Sequence, residues 1–321
     1  LVPGSSPGGP TKVMKKISII FSFFNEGENI EELIKRTVSV LEKLKSYDYE
    51  LIFVNDCSTD NSIEKIKNNL FTKKIKIINM KKNEGRDECV IVGFKNSSGN
   101  LISYFDADLQ DPPELLNEMI KLYESNNSED TVIHSIREKR EGENILKLMS
   151  TRLAYKIINL LSVIDLPTEC GDFKLFTRNA LKKCLSFDMS EMTYLRGLPF
   201  YFGYNQHFVY YNRKPRYVGP SKFPVLLSVG PIKNFSKAIY SFTNVPKYLK
   251  IIFVILNVLF IGVLLNSFFN FLNINTLFFT TFIVIYSIIL LLNYLLFKKK
   301  NNLRKSFEID NIIDLNTYSN K

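Results

Sequence analysis

Apolar residues fall in short, separated runs through most of the chain and in two long runs near its end. Residues 16–24, K-I-S-I-I-F-S-F-F, are β-rich and apolar at nearly every position, the pattern of a strand covered on both faces. In the next stretch Ile30, Leu33, Ile34, Val38 and Leu41 recur at helical spacing, with Asn29 as a cap and Glu32 three residues on. Strand signals return at 50–54, 75–80, 101–105 and 131–136. Helix signals return at 62–69, after Gly85, after Pro112-Pro113 and from about 144 to 161. This alternation predicts an α/β domain with a mostly parallel sheet and helices on both faces. Residues 251–272 and 277–297 are apolar over a bilayer-spanning length, which predicts two transmembrane helices. Just before them Ile232, Phe235, Ile239 and Phe242 fall near one helical face, an amphipathic juxtamembrane segment offering Lys233 and Lys237 to lipid headgroups.

The 321 residues therefore divide into an expression remnant (1–13), a catalytic domain (14–220), a juxtamembrane segment (221–250), a transmembrane hairpin (251–297) and a cytoplasmic tail (298–321). Net charge is +10, and its placement matters more than its size. From Arg213 to Lys250 there are eight Lys or Arg and no Asp or Glu, immediately before the first apolar run, which favours an anionic leaflet over nucleic acid. Lysines and Arg304 also follow the second run, while the N-I-N-I-N connection is uncharged, so both ends are expected to be cytoplasmic. Cys57, Cys89, Cys170 and Cys184 lack metal-site spacing. His134 and His207 form no metal-spaced or triad-like pair and read as structural.

The chemistry centres on L-I-S-Y-F-D-A-D-L-Q-D-P-P-E at 101–114. A buried strand stops on acids, and alternate residues leaving it point the same way. Asp106, Asp108 and Gln110 can thus converge as hard oxygen ligands suited to Mg²⁺ or Mn²⁺, leaving positions for diphosphate oxygens. Asp56 sits at another strand's carboxyl end, whereas Asp60 reads as a helix-capping residue. Arg86, at a helix start, suits a diphosphate or a solvated surface equally. Arg137 and Arg140 flank a Gly142-containing loop beyond a strand end, where guanidinium groups can hold a phosphate. No G-x-G-x-x-G or G-K-[ST] follows the first strand, which removes the main support for dinucleotide and P-loop readings.

In order, Asn25-Glu26, N-D-C-S-T-D, N-E-G-R, D-A-D-L-Q-D-P-P-E, R-E-K-R-E-G-E, C-G-D-F-K-L, Y-L-R-G-L and P-R-Y-V-G-P-S-K-F resemble the family 2 glycosyltransferases. The similarity is to the polyprenyl-phosphate branch, which includes dolichol-phosphate mannose synthase and the bactoprenol glucosyltransferases. It implies a GT-A fold, a nucleotide-diphospho-sugar donor, a UDP-hexose such as UDP-glucose, and a divalent metal. It implies donor contacts at Asn25, Glu26, Asp56, Arg86 and Asp106, and acceptor-phosphate contacts at Arg137, Arg140, Arg196 and Lys222. Asp172, in the G-D-F motif, is implied as a base or acceptor-positioning group. The usual V-D-D-G-S-T-D stands here as V-N-D-C-S-T-D, with Asn55 and Cys57. The expected reaction is inverting sugar transfer to polyprenyl phosphate at the cytoplasmic face of a bacterial plasma membrane, by a multi-pass and homo-oligomeric protein. A transferase acting on another lipid such as diacylglycerol, and a non-catalytic sugar-nucleotide sensor, are the alternatives.

Overall fold

The computed structural model describes residues 14–126, 128–140, 145–186, 194–214, 217, 229–245, 247–249, 251–252, 255–257, 285–286, 288 and 308–316. Strands β1 (Lys15–Phe23), β2 (Tyr47–Asn55), β3 (Ile75–Met80) and β4 (Leu101–Tyr104) alternate with helices α1 (Gly27–Leu41), α2 (Ser62–Lys67) and α3 (Arg86–Lys95). Then come α4 (Leu115–Asn126), β5 (Thr131–Arg140), α5 (Ile145–Leu161), β6 (Cys170–Thr177), α6 (Arg178–Ser186), α7 (Leu198–Tyr201), β7 (Asn205–Arg213), α8 (Val229–Phe242) and β8 (Ile309–Asp314). The sheet order is β7-β5-β6-β4-β1-β2-β3-β8. The β4-β1-β2-β3 centre is parallel, and β6 and β8 run antiparallel to their neighbours. The mostly parallel α/β sheet is as expected.

Apolar side chains explain the layering. On one face Ile17, Ile19, Phe21 and Phe23 of β1 meet Ile30, Leu33 and Ile34 of α1 and Leu116 and Met119 of α4. On the other, Ile20 joins Val90 and Phe94 of α3, Ile158 of α5, Leu181 of α6 and Ala238 and Phe242 of α8. Burial of both faces is why β1 and β2 read as nearly continuous apolar runs. His134 lies buried between the rings of Phe200 and Phe208, the structural role expected for it.

Four features differ from the expectation. Helix α1 begins at Gly27, ahead of the expected cap Asn29, because Asp60 from across the loop accepts the Gly27 N–H at 2.9 Å. Asp60 also accepts the Ser62 N–H at 3.1 Å, at the start of the helix it was expected to cap. Strand β5 runs on through Arg140, beyond residue 136, because β7 pairs with it along that length. Residues 309–314, within the expected cytoplasmic tail and given no element there, form edge strand β8 against β3. Helix α8 turns its apolar face inward: Ala238 and Phe242 are buried, Phe235 and Ile239 pack against the second core, and Lys237 pairs with Asp87 at 3.2 Å and Glu88 at 3.6 Å. An amphipathic stripe reports only that something apolar covers it, and here the second core covers it. Among the described residues no helix is long and apolar enough to cross a membrane; most of 251–297 lies outside them.

The Y-L-R-G-L motif seats α8. Tyr194 and Leu195 are buried, and a Cβ on Gly197 would lie 2.3 Å from the Phe242 ring. Gly197→Ala is therefore expected to cost about 1–3 kcal/mol by overpacking this contact, read as a lower denaturation midpoint. An unchanged midpoint would mean that α8 is not seated on Gly197.

Candidate active site

The carboxyl ends of β1, β2, β3 and β4 open on one edge, the place where an α/β sheet presents loops to a ligand. Beside β4, antiparallel β6 brings its amino-terminal end to the same edge. Asn25, Asp56, Asp106 and Asp172 reach that edge from four strands that are far apart in sequence.

At the β1 and β2 ends, loop geometry dominates. Asn25 Oδ1 accepts the Thr59 N–H at 2.8 Å, and the Ser58 hydroxyl accepts the Asn25 N–H at 3.0 Å. Glu26 accepts a hydrogen bond from the Asn29 side-chain amide at 2.7 Å. Asp56 is buried, and its two oxygens accept the N–H groups of Glu84 at 2.7 Å and Gly85 at 3.0 Å. Burial raises the Asp56 pKa while these backbone donors oppose the rise. The carboxylate thereby ties the loop after β3 to the end of β2. Asn25 and Cys57 have φ of 52° and 62°, left-handed values unusual outside glycine. A glycine at the Cys57 position in the family pattern is thus accounted for by backbone shape, and Cys57 Sγ holds the strained position by donating to the Met80 carbonyl at 3.0 Å.

At the β4 end the acids and arginines form one chain. Arg86 donates through Nε to Asp106, and its Nη2 stands 3.5 Å from Asp172 Oδ2. Arg196 grips Asp172 with two hydrogen bonds, Nε to Oδ1 at 2.8 Å and Nη2 to Oδ2, while its Nη1 donates to Tyr155 Oη on α5 at 2.7 Å. Burial alone would raise the Asp172 pKa, but Arg196 and Arg86 outweigh it and hold the carboxyl well below the usual range. Asp108 behaves oppositely. Burial, then repulsion from Asp106, pushes its pKa up to about 6, against the Gln110 N–H that Asp108 Oδ1 accepts at 3.1 Å. Leu109 between them is left-handed at φ 59°, so the turn that aims these groups is strained.

Arg137 corrects an expectation. It lies inside β5 rather than in a loop, only 5% exposed, with Nε donating to Tyr211 Oη at 3.0 Å and Nη2 to Asp111 Oδ2 at 3.2 Å. Asp111, 0% exposed, also accepts from Tyr211 and lies 3.4 Å from Arg213 Nε. Burial would raise its pKa, but Arg137 and Arg213 outweigh that and lower it. Asp111, Tyr211 and Arg213 were not singled out from the sequence, although Asp111 stood inside the quoted acidic motif. The side chain of Arg140 and the whole of Lys222 lie outside the described residues.

The structure thus gathers Arg86, Asp106, Asp172 and Arg196 into one network with Asp108 beside it, and sets Asn25, Glu26 and Asp56 in the adjoining loops. Residues 18–185 match the description "Glycosyl transferase family 2". The chain belongs to that family. It is 33% identical over 237 residues to an uncharacterised glycosyltransferase of Synechocystis sp., covering 72% of this chain and 70% of that one. It is 30% identical over 210 residues to the prophage bactoprenol glucosyl transferase homolog of Escherichia coli, covering 65% and 67%. Among solved structures it is similar to glucosyl-3-phosphoglycerate synthase of Mycobacterium tuberculosis, with a TM-score of 0.47 at 16% identity over 70% of this chain and 79% of that one. Being a family 2 member, the protein is a glycosyltransferase.

Proposed function

We propose that the protein transfers a hexose from a UDP-sugar to a polyprenyl phosphate, with inversion, at the cytoplasmic face of a membrane. The observation that carries this reading is the pairing of Asp106 with Asp108 at the β4 end, flanked by Arg86, Asp172 and Arg196. Two carboxylates close enough for one to raise the other's pKa form a donor set that a divalent cation satisfies. Among the described residues no cluster of three or more His, Cys, Asp or Glu is arranged for a metal, so Gln110 and donor oxygens would complete the ligand set of Asp106 and Asp108. Mg²⁺ or Mn²⁺ bound there would neutralise charge on the departing nucleoside diphosphate.

The chain's own groups do the rest. Arg86 places a cation beside Asp106, where diphosphate charge would gather. A phosphate acceptor is already anionic near neutral pH and needs no strong base. Asp172 fits that demand: clamped and ionised, it orients Arg196 rather than taking up a proton. A hydroxyl acceptor such as diacylglycerol would need a base that a carboxyl held so low does not supply. Arg196, Arg140 and Lys222 are assigned to the acceptor phosphate, with Arg137 held back by Asp111. The relatives named bactoprenol glucosyl transferase support this choice of acceptor.

Membrane attachment is supported by Met149, Leu153 and Leu160 of α5 and by Val163, which stand exposed within a segment carrying Arg152 and Lys156 but no acid. The end of α5 is fastened to that of α8 by the Val163 N–H donating to the Phe242 carbonyl at 3.0 Å, nine residues before the first apolar run starts at 251. Helix α8 precedes the apolar runs and β8 follows them, and both pack on the catalytic domain. A spanning segment between them must then cross an even number of times. Tyr286 of the second run donates to Asn257 Oδ1 of the first at 2.6 Å, as in a hairpin. An impermeant thiol reagent should label a cysteine placed within 273–275 from outside the cell, and one at position 300 only after permeabilisation. The reverse pattern would exclude a cytoplasmic active site.

The activity test is a panel of nucleotide sugars with undecaprenyl phosphate and Mg²⁺ or Mn²⁺, following nucleoside diphosphate and glycolipid together. One sugar should give both products only when metal and acceptor are present. Diphosphate release that ignores the acceptor would reject the proposal.

A further inference from the structure

Three asparagines stand side by side across the β2, β3 and β8 strands: Asn55 is the cross-strand partner of Asn79, and Asn79 that of Asn311. Their amides form a ladder. Asn55 Nδ2 donates to Asn79 Oδ1 at 2.9 Å, and Asn79 Nδ2 donates to Asn311 Oδ1 at 2.6 Å. The direction of the ladder is set at its inner end, where Asn55 Oδ1 accepts the Ser58 N–H at 2.8 Å. A backbone N–H can only donate, so the Asn55 oxygen faces Ser58 and its NH₂ faces Asn79. The loop closed by that bond holds Asp56 and left-handed Cys57, and continues through Ser58 and Thr59 to Asn25. At the outer end the β8 strand is fixed by the Lys81 N–H donating to the Glu308 carbonyl at 2.9 Å.

We propose that Asn311 is a positioning residue for the donor loop, acting through Asn79 and Asn55, and that Asn55 replaces the family's aspartate because this ladder needs a hydrogen-bond donor there. An aspartate at 55 could accept from Ser58 but could not donate to Asn79. The ladder could then survive only by turning over: Asn79 would donate inward to residue 55, and Asn311 would have to donate inward to Asn79. In the wild-type direction Asn311 need only accept within the ladder, and its Nδ2 donates instead to Asp310 Oδ2 at 2.8 Å. Residue 311 therefore has opposite requirements in the two backgrounds. Although Asn311 lies far outside the matched family region, it would help set how the 55–60 loop meets the nucleotide. The part of this inference that concerns the nucleotide rests on the proposed function; the part that concerns the loop does not.

The test uses the full chain in detergent or nanodiscs and four variants, each also made with Asp310→Asn: Asn311→Asp, Asn311→Leu, Asn55→Asp and the Asn55→Asp/Asn311→Asp pair. Amide hydrogen exchange of a peptide covering 55–60 is measured without nucleotide. Asn311→Leu, which leaves the Asn79 donor without its acceptor, is expected to speed exchange at Ser58 about 5-fold, the scale of one hydrogen bond. Asn311→Asp still accepts from Asn79 and, compared in an Asp310→Asn background so that it does not face the neighbouring carboxylate to which Asn311 Nδ2 donates, is expected to match that background, a conservative rescue. In the Asn55→Asp background the same Asn311→Asp change is expected to speed exchange, because the single Asn79 amide cannot donate to both sides. If turnover with a UDP-sugar is observed, the donor KM should rise in step with exchange while kcat stays within about 2-fold. Unchanged exchange in Asn311→Leu, or an Asn311→Asp effect equal with and without Asn55→Asp, would overturn the ladder. Exchange that follows the ladder without any sugar transfer would leave the ladder standing and reject the function. A rise in KM confined to Asn55 variants would place the specificity at residue 55 alone and overturn the role of Asn311.

Discussion

Replacing Asp108 by asparagine is expected to lower sugar transfer by about 10²–10³-fold, the scale seen when one preorganised group that stabilises transition-state charge is removed. It should at the same time make the metal-free protein more stable at pH 7. Asp108 is held up at about 6 by burial and by Asp106, so keeping it ionised in the folded state opposes folding. The folded pKa lies above the unfolded value, so the folded state binds the extra proton between roughly pH 4 and 6. The penalty is full above the folded pKa and disappears as pH falls below the unfolded one. The stability difference between Asp108→Asn and wild type should therefore be largest at pH 7 and close near pH 4. Added Mg²⁺ or Mn²⁺ should raise the wild-type melting temperature and leave that of the variant unchanged. Full turnover in purified Asp108→Asn would remove the metal assignment. A stability difference independent of pH would instead show that Asp108 ionises freely.

Arg137→Ala should destabilise the fold by about 3–5 kcal/mol, because it leaves Asp111 charged and buried with one guanidinium fewer. Denaturant titration at constant pH measures this directly. Arg140→Ala, by contrast, should leave stability within about 0.5 kcal/mol and raise the concentration of polyprenyl phosphate needed for half-maximal rate. Were Arg137 an acceptor ligand free of structural duty, both variants would be equally stable and would differ only in acceptor dependence. Asp111→Asn offers a second reading of the same cluster. It keeps the shape but removes the charge that balances Arg137 and Arg213, so it too should be strongly destabilised.

Much of this protein follows from local pattern alone. The β1 and β4 runs, the α1 stripe and the acidic motif at 106–111 each carry their own signal, because both faces of a central strand must be apolar and a loop at a strand end must be polar. Motif order was enough to identify the family, and strand–helix alternation was enough to place Asp56 and Asp106 on one edge. Partner choice was not legible. Arg137 and Arg196 look alike in the chain, both arginines near acids, but Tyr211 of β7 and Asp111 of the loop after β4 cover one while α5 and β6 leave the other gripping Asp172 at the open edge. The same holds for the stripe of α8, whose periodicity is satisfied equally by lipid or by Gly197 and the second core, and for residues 309–314, which carry no sign of the strand they will join. Local sequence determines which face of an element is apolar and which end is charged. What covers that face, and which opposite charge meets that end, depends on contacts between residues distant in sequence, as between Asn55 and Asn311, and only the closed sheet decides them.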